Sequence, residues 1–173
     1  MEPPLNVSLP VLIALLVVVL IVGAFVLAPR VEVVTEVEID APPDRVWSVL
    51  GDPRGYRDWN PFILSMEGAL TEGATIVNRM KPESGREMSF RPRVLKAEPG
   101  RELRWLGRLL VPRVFDGEHY FLLEEHGGGT RLIHGEHFRG MLLWFMDVQR
   151  FRSDFERMNA ALKARVETGE AAP

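Results

Sequence analysis

From Pro3 to Pro29 the chain carries no charged residue, and its centre, Val11–Ala28, is an unbroken apolar run. At 1.5 Å per residue that run makes a helix of ~27 Å, close to the ~30 Å hydrocarbon core of a bilayer. It is apolar on every side, unlike the one-sided stripe of a core helix in a globular domain. A single transmembrane helix is therefore predicted over residues 9–29, after a short N-terminal tail at residues 1–8. The rival is a cleaved signal peptide. That would want basic residues ahead of a shorter apolar core and a small-residue cleavage site. The leader MEPPLNVSLP has Glu2 as its one charge, and no A-x-A pattern closes the run. Arg30 and Arg45 follow the span and no basic residue precedes it, which favours a cytoplasmic C-terminal domain.

Past the span the pattern becomes that of strands. Val31, Val33, Thr35, Val37 and Ile39 alternate with Glu32, Glu36 and Glu38, the mark of a half-buried strand. Ala41-Pro42-Pro43-Asp44 breaks it, and Val46, Trp47, Val49 and Leu50 give a short helix an apolar side. A turn at Asp52–Tyr56 leads to a second short helix or turn, and Pro61 ends anything helical there. Further strands are predicted over 62–67, 75–81, 86–96, 101–110, 115–125 and 130–138, with Pro92 marking an edge or bulge and Gly127-Gly128-Gly129 closing a hairpin. One face of the fifth of these carries His119, Phe121 and Leu123, and one face of the last carries Thr130, Leu132, His134, Glu136 and Phe138. From Trp144 the period lengthens. Trp144, Val148, Phe151, Phe155, Met158, Leu162 and Val166 recur every three or four residues, predicting a long amphipathic helix that covers the sheet.

Composition narrows the function classes. Net charge is −3, of which Glu2 is the only contribution ahead of Arg30, so the domain is near neutral. That argues against a nucleic-acid partner, which calls for a basic face. The absence of cysteine excludes disulfides, thiolate metal sites and a cysteine nucleophile. No phosphate loop, Ser-His-Asp order or zinc-protease helix is present. No cofactor and no metal are expected, although two histidines and a carboxylate are a donor set that suits zinc.

Several segments together resemble the START/Bet v 1-like superfamily, in the SRPBCC or polyketide cyclase/dehydrase-like branch. They are Ile39-Asp40-Ala41-Pro42 with Val46-Trp47, Asp52-Pro53 with Tyr56, Trp59-Asn60-Pro61-Phe62, Leu103-Arg104-Trp105-Leu106-Gly107, Gly117–Phe121, the hairpin ending at Thr130, Glu136–Gly140, and Phe155, Met158, Asn159 and Leu162. The resemblance implies an α+β helix-grip fold over residues 30–167. In it a curved seven-stranded antiparallel sheet grips a long C-terminal helix with a cavity between them, and a flexible tail follows at 168–173. The transmembrane helix departs from the usual soluble members.

A strongly curved sheet cannot easily close-pack its middle against one helix. The expected ligand-binding lining is Trp59, Phe62, Met88, Phe90, Leu103, Trp105, Phe121, Leu132, Phe138, Trp144, Val148, Phe151 and Phe155. The plainer alternative is that these side chains simply fill a core. His119, His134 and Glu136 place polar chemistry on the same wall. They are candidate acids or bases, or ordinary hydrogen-bonded strand residues. Between Gly107 and Val114, apolar residues set between Arg108 and Arg113 suit contact with lipid headgroups, an entry for a ligand, or an ordinary hairpin connection. The leading expectation is a membrane-anchored protein binding a hydrophobic small molecule, whether lipid, quinone or isoprenoid. The alternatives are a cyclase/dehydratase-type enzyme on an aromatic or polyketide-like substrate, and an accessory protein acting through its surface.

Overall fold

A computed structural model of the chain describes residues 8–83 and 85–168. The expected N-terminal tail, apart from Ser8, and the C-terminal tail from residue 169 lie outside the described residues. The first element is α1 (Leu9–Val26), with Pro10 in its opening turn, where no amide hydrogen is required. None of its residues is buried, and it has the length and composition of a membrane span. It stops three residues before the predicted end at Pro29, with the Leu27 amide donating to the Gly23 carbonyl at 2.8 Å. Only Leu27–Pro29 separate the helix from the domain.

The domain runs β1 (Arg30–Ile39), α2 (Pro43–Leu50), a 3-10 turn at Pro53–Gly55, and α3 (Tyr56–Trp59). Then come β2 (Ile63–Glu67), β3 (Val77–Met80), β4 (Met88–Phe90), β5 (Arg93–Glu98), β6 (Glu102–Leu109), β7 (Phe115–His126) and β8 (Gly129–Arg139). Two 3-10 turns, Met141–Trp144 and Gln149–Phe151, precede α4 (Arg152–Thr168). All strand pairs are antiparallel. Five strands form one sheet in the order β1-β8-β7-β6-β5, and β2-β3-β4 form a second. This is the α+β helix-grip arrangement, preceded by an apolar helix.

The strand count differs from the expected seven, and proline explains it. The single strand expected over 86–96 is parted at Arg91-Pro92 into β4 and β5, because Pro92 has no amide hydrogen to continue a ladder. Its carbonyl still accepts from the Ile76 amide at 3.0 Å, and a lone Thr75–Arg93 bridge lies beside it.

The C-terminal helix is shorter than its apolar period predicted. Gly140 turns the chain, and the next two amides go to the β6–β7 loop: Met141 donates to the Arg113 carbonyl at 2.9 Å and Leu142 to Val114 at 3.1 Å. The chain then passes through 3-10 turns at Met141–Trp144 and Gln149–Phe151, and α-helix begins only at Arg152. Along α4, Phe155, Met158, Leu162 and Val166 are buried in the core with Ile39, Val46, Leu50 and Leu132. The buried Asp154 carboxylate accepts from the Glu83 amide at 2.9 Å and from Arg157 at 2.5 Å, which ties the β3–β4 connection to the helix. Thr168, expected in the tail, is the last helical residue.

Candidate functional site

The pleat sets the site's polar residues side by side. In register, His119 of β7 faces Trp105 of β6 on one side and Glu136 of β8 on the other. His134 of β8 lies across from Phe121 and from Thr35 of β1. A one-residue shift would turn all of these outward. Asn159 of α4 completes the group from above.

These side chains form one hydrogen-bonded chain whose direction can be worked out. The Thr35 hydroxyl donates to the His134 carbonyl at 3.1 Å, so its oxygen accepts from Asn159 Nδ2 at 2.8 Å. Asn159 Oδ1 is then the atom facing His134 Nδ1, at 2.7 Å, and that nitrogen must carry hydrogen. His134 Nε2 accepts from His119 Nε2 at 2.8 Å. The remaining nitrogen, His119 Nδ1, lies 3.1 Å from Glu136 Oε2, and one proton sits between them.

The electrostatics agree with that count. Burial lowers His119 from its ordinary 6.5 to about 3. His134 is held well below the ordinary value by burial first and by His119 second. Burial raises the Glu136 carboxyl from 4.5 to about 8. Aromatic rings enclose both imidazoles. Trp105 stacks on His119 with centroids 4.9 Å apart and planes 5° from parallel, while Phe121 and Phe155 stack on His134 at 4.4 Å each.

Beside this chain lies an apolar cleft between the three-stranded sheet and the β6-β7-β8 wall. Phe62, Ile63, Met80, Met88, Phe90, Trp105, Phe115, Phe138 and Phe151 line it, with Asn78, Arg108, His119 and Glu136 as its polar groups. Its volume is about 80 Å³. A dry apolar cavity of ~150 Å³ takes a benzene ring, so this one admits the end of a molecule unless its walls yield. Two of those walls are methionines, the most adaptable of apolar side chains. Glu136 Oε1 rests against the bare Cα of Gly117, where any Cβ would collide with it.

The family described as polyketide cyclase/dehydrase and lipid transport matches residues 30–167. The chain belongs to that family. Solved structures with the same fold include a protein from Chromobacterium violaceum, at 20% identity and TM-score 0.64, covering 79% of this chain and 96% of that one. Another, from Rhodobacter sphaeroides, has 18% identity and TM-score 0.64, with 82% and 93% covered. Ginseng major latex-like protein 151 from Panax ginseng has 10% identity and TM-score 0.68, with 80% and 98% covered. No curated protein matches the chain. At these identities the likeness concerns fold alone.

Within this polyketide cyclase/dehydrase and lipid-transport domain, the residues singled out from sequence fall into three groups. Phe62, Met88, Phe90, Trp105, Phe138 and Phe151 meet at the cleft with His119 and Glu136. Trp59, Leu103, Phe121, Leu132, Val148, Phe155 and His134 are buried in the packed interior next to it. Phe155 is the reason, since its ring closes the space between helix and sheet against Phe62, His119 and His134. The hollow therefore lies between the two sheets, not under the helix as expected. Trp144, on a 3-10 turn in place of a helix, stands outside the cleft and is 58% exposed.

Asn78, Met80, Phe115 and Gly117 line the cleft without having been picked out as lining, and Arg108, singled out in the segment suited to ligand entry, joins them. Two signals were available. Ile76, Asn78 and Met80 share one face of an alternating strand, and a glycine inside a strand marks a close approach. Asn60, in the Trp59-Asn60-Pro61-Phe62 segment, is structural: its Oδ1 accepts from the Phe62 and Ile63 amides at 2.9 and 2.8 Å. Among the described residues no group of three potential ligands gathers to hold a metal ion.

Proposed function

We propose that this chain is a membrane-anchored binding protein for a hydrophobic small molecule (a lipid, quinone or isoprenoid), which enters the cleft from the bilayer beside α1. One observation carries the reading: the cleft rim is continuous with an exposed apolar surface at the root of the anchor. Leu109 lines the cleft and leads into Leu110 and Val111, with Leu110 85% exposed. The turn bearing Trp144 and Phe145, the latter 86% exposed, is bonded to the same loop through Arg113 and Val114. The loop meets the helix where the Arg113 guanidinium lies 5.8 Å from the Phe25 ring centre of α1, and the Gly140 amide donates to the carbonyl of Pro29, in the link that follows α1, at 3.2 Å.

In water such a surface is unfavourable, and beside a span it is suited to the acyl–headgroup boundary. Arg30, Arg113 and Arg139 crowd the same end. Burial, and then the first two charges, push the Arg139 guanidinium below its ordinary range. That crowding is relieved by anionic headgroups and fits the cytoplasmic leaflet. The tether replaces a search for the membrane by a high local concentration at it. Displacement of Met80 and Met88 enlarges the cleft to the size of its guest.

The Glu136–His119 pair on the cleft wall favours a second reading, a cyclase/dehydratase-type reaction in which that pair moves a proton. Solvent extraction of the full-length protein purified from membranes separates the binding reading from no binding at all. A lipophile recovered near one per chain supports it. Recovery of phospholipids alone, in bulk membrane proportions, contradicts it.

A further inference from the structure

The polar groups of the cleft also define the head of its guest, an inference that rests on the binding reading above. Whichever of Glu136 Oε2 and His119 Nδ1 carries the proton, it lies on the line between them. Glu136 Oε1 is thereby left as an acceptor. It rests over Gly117 on the cleft wall and makes no hydrogen bond among the described residues. A second acceptor stands in the same cleft: Asn78 is 4% exposed, and its Oδ1 is buried with no partner. A buried acceptor left unsatisfied is rare in folded proteins and points to a missing donor. Among the described lining residues the cation is Arg108, whose charge is paired with Asp116 through an Nε bond of 2.8 Å.

We infer that the cleft takes a neutral lipophile whose head carries a hydroxyl donor, a phenol or alcohol, received by Glu136 Oε1 and Asn78 Oδ1. Carboxylate or phosphate heads meet two acceptors and a cation already paired with Asp116. A head with only carbonyl oxygens leaves both acceptors unpaired. A reduced hydroquinone therefore satisfies an acceptor that its oxidised quinone leaves without a donor.

The test uses the full chain in nanodiscs with three probes of equal tail: 4-hexylphenol, hexylbenzene and 4-hexylbenzoate. Free concentrations are corrected for partition into the disc. Each unsatisfied acceptor weakens binding by about tenfold, so the phenol should bind at least about tenfold more tightly than either of the others. Asn78→Leu removes no protein hydrogen bond, so it should fold normally and reduce the preference for phenol while leaving hexylbenzene affinity unchanged. Glu136→Gln should retain the preference, because its amide can donate to His119 Nδ1 and leave the oxygen toward the cleft. Equal affinity for phenol and hexylbenzene, tighter binding of the benzoate, or an Asn78→Leu variant with undiminished preference overturns this inference while leaving apolar binding intact. Failure of all three probes to bind overturns the binding reading together with it.

Discussion

Glu136→Gln isolates the buried proton of the site and should change how stability depends on pH. In the folded chain Glu136 keeps its proton up to about pH 8, whereas the unfolded chain releases it near 4.5. A raised folded value contributes stability that is complete below pH 4.5 and is lost as pH rises toward 8. The histidines act in the opposite sense. His119 stays neutral to about 3 and His134 is also lowered, so their contribution is present above 6.5 and is lost as pH falls. Between 4.5 and 6.5 the unfolded chain gains two protons on histidine against one lost from Glu136, and stability climbs with pH. Above 6.5 only Glu136 remains in play. Stability then falls at about 1.4 kcal/mol per pH unit, or about 2 kcal/mol by pH 8. That figure is an upper value, because 17% of the Glu136 side chain still meets solvent. The assay is denaturant unfolding of the full chain in detergent, followed by tryptophan fluorescence at a series of pH values. The difference between parent and Glu136→Gln cancels every other titrating group. It should decline by about 2 kcal/mol from pH 6.5 to 8 and level off beyond. A difference that is flat across that interval would show that Glu136 is ionised in the fold, and the proton count of the chain would be wrong.

Phe155→Ala should lower unfolding stability by about 3–5 kcal/mol in the same assay, since Phe155 is fully buried and seals the helix–sheet space. A loss under about 1 kcal/mol would mean that the space is not packed as described. Replacing Leu110 and Phe145 together by Asp should weaken quenching of Trp144 by bromine-labelled lipids in nanodiscs, read as the difference from a Trp144→Phe chain. Unchanged quenching would place that surface away from the bilayer.

Much of the fold was legible because burial has a period. The alternation of β7 and β8 put His119, His134 and Glu136 on one face, and the structure has them within hydrogen-bond reach. What periodicity could not carry was backbone hydrogen bonding. Val148 and Phe151 keep the helical spacing of apolar residues, yet their segment lies in 3-10 turns whose approach is tied to the β6–β7 loop. Pro92 was recognised as an interruption, but its effect, a sheet divided in two with the cleft at the division, depends on pairings between strands far apart in sequence. The cleft's position turned on Phe155. The same sequence position reads equally well as a cavity wall or a plug, and only the rings stacked on it decide. Asn78 shares a strand face with Ile76 and Met80, which marks it as inward but does not show that its oxygen is unpartnered.

The most direct measurement compares the parent chain with Gly107→Leu by native mass spectrometry after release from detergent. Gly107 lines the cleft, and a Cβ there meets nothing closer than the Gly117 carbonyl at 3.8 Å, so a side chain can start from it without displacing the backbone. The account predicts a bound lipophile of defined mass on the parent chain and its loss from the folded variant. The same mass retained by both chains, or carried by neither, contradicts it.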